Sequence, residues 1–337
     1  MQRNFNLDLL KILACFSVVV LHVTGRVVFV NNNYTLSHFF YYAACIAVPI
    51  FFMVNGYLLL NKNEITYKYI WKKISNILIV VFSWNLIILI GKLIIKREFN
   101  NPIYSVVENL IQRGYFWQFW FFGSLIIIYL FVPILNKYFK NVKSVVLLTC
   151  MFIGISLVID LISIFRSLNG DSIVQINVIQ TFRLWTWLAY YLLGGLLGNT
   201  LVKNKILNFF NVKWNWAILI SSLTISNIYQ YNMAKLYNAV NAEYFYDNIL
   251  TFVYVISLFI LVLRFNFKSL NRFILLISSN MIGIYILHAT VIKVLSKLIS
   301  FDKPLLNTII IFIVFISSLL CSWIISKIPI VKKLISL

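Results

Sequence analysis

The chain has 337 residues, of which 61% are hydrophobic and only 11% charged. No soluble core absorbs that share of apolar surface, so a water-soluble globular enzyme is excluded and a polytopic membrane protein is implied. The formal net charge of +20 does not imply nucleic acid as a partner, because the basic residues fall in short clusters between apolar runs and report topology instead.

Apolar runs that reach about 20 residues, the length needed to cross a bilayer, lie near residues 7–30, 38–60, 74–95, 118–135, 144–165, 184–202, 215–231, 248–264, 278–299 and 305–326. The first is too long for a signal peptide and lacks a small-residue cleavage pattern, which makes it a retained span. Ten spans put both termini on one side. With the N-terminus in the cytoplasm, the inner tails and loops hold seventeen Lys and Arg against nine outside, the bias that orients membrane proteins. The expected fold is all-α, a polytopic membrane helical bundle of about ten transmembrane helices with cytoplasmic N- and C-termini. One integral-membrane domain spans 1–337, since no repeat or linker divides the chain. The abundance of Lys, Ile and Asn matches an AT-rich bacterial genome, hence a bacterial cell membrane. The loops are too short to form a soluble catalytic domain, so any chemistry belongs to the helical body.

Within the first run, Asp8, Lys11 and His22 stand where lipid-facing helices avoid all three. At roughly 100° and about 1.5 Å per residue, Lys11 and His22 lie almost on one line, roughly 16 Å apart along the axis, and Asp8 meets Lys11 three residues on. Ionisable groups at such depth cost about 2.5 to 3.5 kcal/mol each on insertion scales and face aqueous cavities. The alternative is that Lys11 snorkels to lipid phosphates and His22 bonds a neighbouring helix. In the ninth run, Ser278, Met281, Tyr285 and His288 share a face by helical spacing. Gly194 and Gly198 stand one turn apart, which permits close helix contact. Cys15, Cys45, Cys150 and Cys321 all fall inside apolar runs without metal-ligand spacing, so they read as packing residues and no metal is expected.

Five stretches, in this order, resemble the acyltransferase 3 family of bacterial membrane O-acyltransferases. They are Asn6-Leu-Asp8-Leu-Leu-Lys11 leading to His22; Val48-Pro-Ile-Phe-Phe-Met-Val-Asn55-Gly56-Tyr57; Phe119-Trp120 through Tyr129 to Pro133; Ala189-Tyr-Tyr-Leu-Leu-Gly194-Gly195; and Ser278-Ser-Asn-Met-Ile-Gly283-Ile-Tyr285-Ile-Leu-His288. Asn55 stands where the family usually has serine. The resemblance covers most of the chain and implies transfer of an acetyl or other acyl group from cytoplasmic acetyl-CoA or another acyl-CoA to a hydroxyl of a cell-surface or lipid-linked polysaccharide. It makes His22, aided by His288, the catalytic candidate, as base or as acyl carrier. A donor bearing phosphates needs cations at the inner face, and Lys68, Lys72 and Lys73 follow the second span there, close to Lys11 and its partner Asp8. These lysines equally fit topology-setting charge drawn to anionic lipid. Asn55, Tyr57, Trp120, Tyr285 and Arg183 are the supporting or acceptor-side candidates, and Arg113, Glu243 and Asp247 are further outer charges of interest. Outer aromatics suit stacking on sugars, but a belt at the headgroup level explains most of them. The expected partners are a glycan acceptor and membrane lipids, with a homo-oligomer or glycan-assembly proteins left open. A glycan exporter or flippase, and a membrane sensor module, are the competing readings.

Overall fold

In a computed structural model, residues 3–30, 33–98, 100–209, 211–265, 270–301, 303–329 and 331–335 are described. Every regular element among them is a helix: α1 (Phe5–Val28), α2 (Leu36–Ala43), α3 (Ala47–Leu60), α4 (Tyr67–Lys96), α5 (Pro102–Leu110), α6 (Trp120–Tyr138), α7 (Val142–Leu168), α8 (Val174–Asn177), α9 (Leu184–Gly198), α10 (Thr200–Phe209), α11 (Val212–Leu236), α12 (Ile249–Arg264), α13 (Asn271–Ser279), α14 (Met281–Leu295) and α15 (Pro304–Lys327). Asparagine starts many of them. Asn4, Asn101, Asn141, Asn211 and Asn248 each turn a side-chain oxygen back onto a first-turn backbone N–H, satisfying donors that a helix end leaves open. Pro102 and Pro304 occupy the first helical turn of α5 and α15, where the missing N–H costs nothing.

Helices fill all ten apolar runs, yet among the described residues length and composition qualify six as membrane-crossing: α1, α2 with α3 as one piece, α4, the helix ending at Tyr138, α7 and α15. The count becomes seven if α13 and α14, bent by 61° at Asn280, form one span. The shortfall from ten has physical causes. Helices α9 and α12 have 15 and 16 residues, about 22 to 24 Å at 1.5 Å per residue, against a hydrocarbon layer of about 30 Å. Helix α11 is long, but its buried face carries Asn215, Ser222, Ser226, Asn227 and Gln230.

Burial sorts the six into two shells. Between 67% and 78% of the apolar window is buried in α1, α2 with α3, and the α6 span, against 22% to 33% in α4, α7 and α15. The first group, with the short α9, α12 and α14, forms the interior. The second presents its apolar flank outward, as helices in lipid do.

The closest contact is between α3 and α9. A Cβ at Gly56 would overlap the Tyr191 carbonyl, and one at Gly194 would overlap the Met53 backbone. Gly198, one turn on, lies against Asn61 and the Tyr57 carbonyl. The absence of side chains lets backbones meet where lipid offers no hydrophobic drive for association. Asn61 adds a cross-helix hydrogen bond from Nδ2 to the Gly195 carbonyl at 2.8 Å.

The break at Asn280 divides the ninth run. Its Nδ2 donates to the Leu276 carbonyl at 2.9 Å, and its own carbonyl accepts from Ser322 Oγ at 3.0 Å as well as from the Ile284 N–H. Ser278 therefore lies on α13, off the line of Met281, Tyr285 and His288, and the shared face expected for all four holds for the last three alone. After α15 the chain turns back, so that Ile335 is buried and the Leu334 carbonyl accepts from Trp84 Nε1 at 2.8 Å.

The α3–α9 contact makes a sharp test. Gly56→Val or Gly194→Val should lower stability by about 1 to 3 kcal/mol or more through overpacking, read as a lower thermal midpoint of the detergent-purified protein. Gly91→Ala and Gly154→Ala, with nothing within 4 Å of the added Cβ, should leave the midpoint unchanged.

Candidate functional site

The charged start of α1 is an ion triad. Asp8 is buried and accepts from Arg3 Nε at 2.5 Å and Lys11 Nζ at 3.3 Å. Arg3 continues to Ser278 Oγ at 2.7 Å, which ties the chain start to α13. The Asp8–Lys11 contact is the one their spacing predicts. Arg3, which sequence reading treats only as a topology charge, is the stronger partner of Asp8 by distance.

Helices α1 and α14 lie side by side and run in the same direction. Cys15 Sγ approaches the Met281 carbonyl at 3.8 Å, and seven residues on in both helices the rings of His22 and His288 stack, with centroids 5.2 Å apart and planes at 15°. Trp117 meets His22 edge-on at 4.8 Å. Fully buried His288 places Nδ1 3.3 Å from the Ile284 carbonyl. A carbonyl only accepts, so Nδ1 carries the hydrogen and Nε2 keeps its lone pair. That Nε2 has no hydrogen-bond partner among the described residues. Two positive rings at this separation would repel by about 3 kcal/mol at an effective dielectric of about 20, so the pair holds at most one extra proton.

Two cavities lie on either side of Tyr285; the far one reaches the pair through His22, and the near one is lined by neither imidazole. The near one, toward the chain start, has about 240 Å³ and is lined by Lys11 and Lys73, by Asn55 and Tyr129, and by aromatic and aliphatic side chains of α3, α6 and α14. Tyr129 donates to Asn55 Oδ1 at 3.0 Å and Asn55 Nδ2 donates to the Phe51 carbonyl at 2.9 Å, so this amide is held rigidly in the wall. The far cavity, of about 430 Å³, is lined by His22, Trp117 and Trp120, the amides of Gln112, Gln118, Gln180 and Asn241, and the charged Arg26, Glu243 and Lys293. Its size falls within the range of small-molecule sites, roughly 300 to 1,000 Å³.

Tyr285 borders both cavities. Its hydroxyl donates to the Gln118 carbonyl, and its ring packs edgewise on Phe122 at 5.5 Å and lies 6.0 Å from His288. One side chain thus stands in the wall of each space, beside the stacked imidazoles.

The loop before α12 forms one wall of the far cavity. Glu243 takes Arg183 Nη2 at 3.5 Å on one oxygen and the amides of Gln112 and Gln180 on the other. Arg183 itself is buried and its guanidinium is occupied by the carbonyls of Val178, Glu243 and Gln175 at 2.8, 2.8 and 2.6 Å. It does not line the cavity, and it acts through the loop that it anchors. Asp247 accepts from Thr186, from Gln175 at 3.2 Å and from Trp185 at 3.5 Å. Burial raises the pKa of Glu243, with Arg183 and Gln112 pulling it down, and burial likewise raises Asp247.

The other candidates divide. Lys73 lines the near cavity, whereas Lys68 and Lys72 are exposed and border neither. Trp120 borders the far cavity and lies 5.2 Å from the Trp187 ring. Tyr57 borders neither, and its ring packs 6.2 Å from Phe259. Arg113 borders neither cavity. The third histidine, His38, caps α2, its Nδ1 accepting from the Thr35 backbone at 3.2 Å. Cys15 and Cys45 are buried as packing residues, while Cys150 and Cys321 are exposed on the outward flanks of α7 and α15. No group of three potential metal ligands occurs among the described residues. Sequence reasoning passed over Gln112, Gln118, Gln180, Asn241, Arg26 and Lys293 as site residues, because amides and cations near span ends are ordinary until a cavity collects them.

A family model described as an acyltransferase domain matches residues 4–327. No curated protein and no solved structure matches the chain.

Glu243 and Asp247 give a pH signature. A carboxyl whose folded pKa exceeds its unfolded value, about 3.9 for Asp and 4.3 for Glu, contributes stability that is complete below the unfolded value and is lost as pH rises through the folded one. Thermal stability of the purified protein should fall across that rise, and Glu243→Gln should flatten the fall. An unaltered slope in Glu243→Gln and in Asp247→Asn would remove these two carboxyls as its source.

Proposed function

Since the chain belongs to the acyltransferase 3 family and is a membrane acyltransferase, we propose that it moves an acetyl or related acyl group from a cytoplasmic coenzyme A thioester, entering at the near cavity, to a hydroxyl of a surface or lipid-linked glycan in the far one. The observation that carries this reading is that two cavities share Tyr285 as a wall residue, and that the far one reaches, through His22, a stacked histidine pair beside that tyrosine. The near end faces the cytoplasm of a bacterial cell in this reading, in keeping with the positive-inside charge bias.

At about 30 Å³ per water, the near cavity has room for roughly eight waters. That suits the thioester arm, with the nucleotide left at the mouth. Lys73, Lys11 and the Arg3 that shares Asp8 with it offer point charges to the phosphates there. The thioester carbonyl carbon then lies toward Tyr285 and the imidazoles.

The transfer balances as follows. An imidazole nitrogen removes the proton from the acceptor hydroxyl, the oxygen forms a bond to the thioester carbonyl carbon, the C–S bond breaks, and the proton passes to the sulfur to give the free thiol of coenzyme A. His22 lines the acceptor cavity and is the base in this direct route. In the two-step route an imidazole nitrogen bonds to the thioester carbonyl carbon, the C–S bond breaks and the ring's N–H proton passes to the sulfur to give the thiol. The acceptor oxygen then bonds to that carbon, the C–N bond breaks and the hydroxyl proton returns to the ring. His288, with an uncommitted Nε2, relays the proton or steadies the charge on its neighbour. An exporter would need one continuous polar path, and the Tyr285 side chain stands across it in this conformation.

Purified protein supplied with acetyl-CoA and acceptor glycan should release coenzyme A. His22→Ala should lower that release by about 100-fold to 10,000-fold, as loss of general-base catalysis does, and His288→Ala should lower it less. Unchanged release in His22→Ala at equal folded protein would refute the assignment. A stoichiometric burst of coenzyme A before any acceptor is added would identify the two-step route.

A further inference from the structure

The far cavity carries a charge pattern that acyl transfer by itself does not require. Arg26 lies four residues beyond His22 on α1 and Lys293 five beyond His288 on α14, and both line the cavity. Because α1 and α14 run in parallel, both cations line the cavity about one helical turn, roughly 6 to 7.5 Å along the axis, past the stacked rings. Neither has a carboxylate partner among the described residues. Arg26 lies over the Phe301 ring at 5.0 Å and Lys293 over the Tyr115 ring at 3.6 Å.

The acid of the cavity does not offset them. Glu243 has one oxygen toward Arg183 and the other toward two glutamine amides. Its charge is thus matched by Arg183, outside the cavity lining, and Arg26 and Lys293 leave the cavity with an excess of positive charge.

Resting on the reading of the far cavity as the acceptor side, we infer that the acceptor carries a negative group, a carboxylate or a phosphate ester, held by Arg26 and Lys293 about one helical turn from the hydroxyl presented to His22. Recognition at that distance selects which hydroxyl is acylated: the anion anchors one end, and the cavity amides and Trp117 orient the ring between. A neutral glycan lacks the anchor, and a cationic one is repelled.

Such a group could come from an acidic sugar or from the phosphate of a lipid-linked carrier, and binding separates the two. The full-length protein in detergent is titrated with glucuronic acid, glucose and a polyprenyl phosphate while tryptophan fluorescence is followed. At least one anionic probe should bind about tenfold or more tightly than glucose, with the preference weakening as salt screens the charges. Arg26→Gln with Lys293→Gln should abolish the preference, and Arg26→Lys with Lys293→Arg should keep it. Preference for glucuronic acid alone assigns the anion to a sugar acid, and preference for polyprenyl phosphate alone assigns it to the carrier; either upholds the inference. Equal binding of glucose and both anions at low salt, or a preference that survives the double glutamine variant, overturns it. Should that variant fail to fold, the salt dependence of the wild-type preference decides, and a salt-independent preference overturns the inference. Binding needs no thioester. Anion preference without coenzyme A release would therefore count against acyl transfer alone, and release with a neutral glycan without anion preference would count against this inference alone.

Discussion

The parallel contact between α1 and α14 is the constraint from which the site follows. Two helices stepping together by seven residues bring Cys15 to Met281, then His22 to His288. A slip of one residue in either would rotate its histidine by about 100° and part the rings. The register is held over the first turns of α14. At its start, Asn280 breaks the helix and takes Ser322, and Gly283 admits the Ser322 side chain. Further along, Tyr285 is hydrogen-bonded to the backbone before α6 and wedged among phenylalanines. The bend that makes α13 and α14 a poor single span is thus what aims His288 at His22.

The same economy of polar groups runs through the bundle. A side chain that can form hydrogen bonds is expensive in hydrocarbon unless it is partnered or faces a cavity. Asp8 is met by Arg3 and Lys11, Asn136 caps the carbonyls of Leu60 and Lys62, and Asn85 joins Asn109 to the Pro102 carbonyl. The Nε2 of His288 is one of several buried polar atoms without a partner among the described residues, Tyr191 and Asn307 holding others, and it is distinguished by lying beside the His22 ring that lines the far cavity.

Partition is the other theme. An enzyme acting between two aqueous compartments must let two substrates meet without opening a leak between them. Here the near cavity is mostly apolar with lysines at its border, the far cavity is rich in amides and charge, and Tyr285 stands in the wall of both. The loop that shapes the far cavity is built on a guanidinium spent on backbone carbonyls, so Arg183 fixes the position of Glu243 and leaves contact with any acceptor to others.

Much of this was readable from the amino acids alone. Hydropathy placed helices along all ten apolar runs, the Asp8–Lys11 spacing predicted their contact, Gly194 and Gly198 announced a close helix pair, and the order of five short motifs identified the family. These are local properties, set by residues within a few turns of one another. Spacing along one helix could not say that Lys11 and His22, on one stripe, open onto different cavities, that Ser278 is turned away by the break at Asn280, or that Lys73 reaches the site where Lys68 and Lys72 do not. Nor could it gather Gln112, Gln180 and Glu243 around one space, or bring Arg26 and Lys293 to the same cavity. Those juxtapositions join residues far apart in the chain, and they depend on helix register and bends that packing decides, because in lipid the apolar pattern fixes that a helix is buried without fixing what it is buried against.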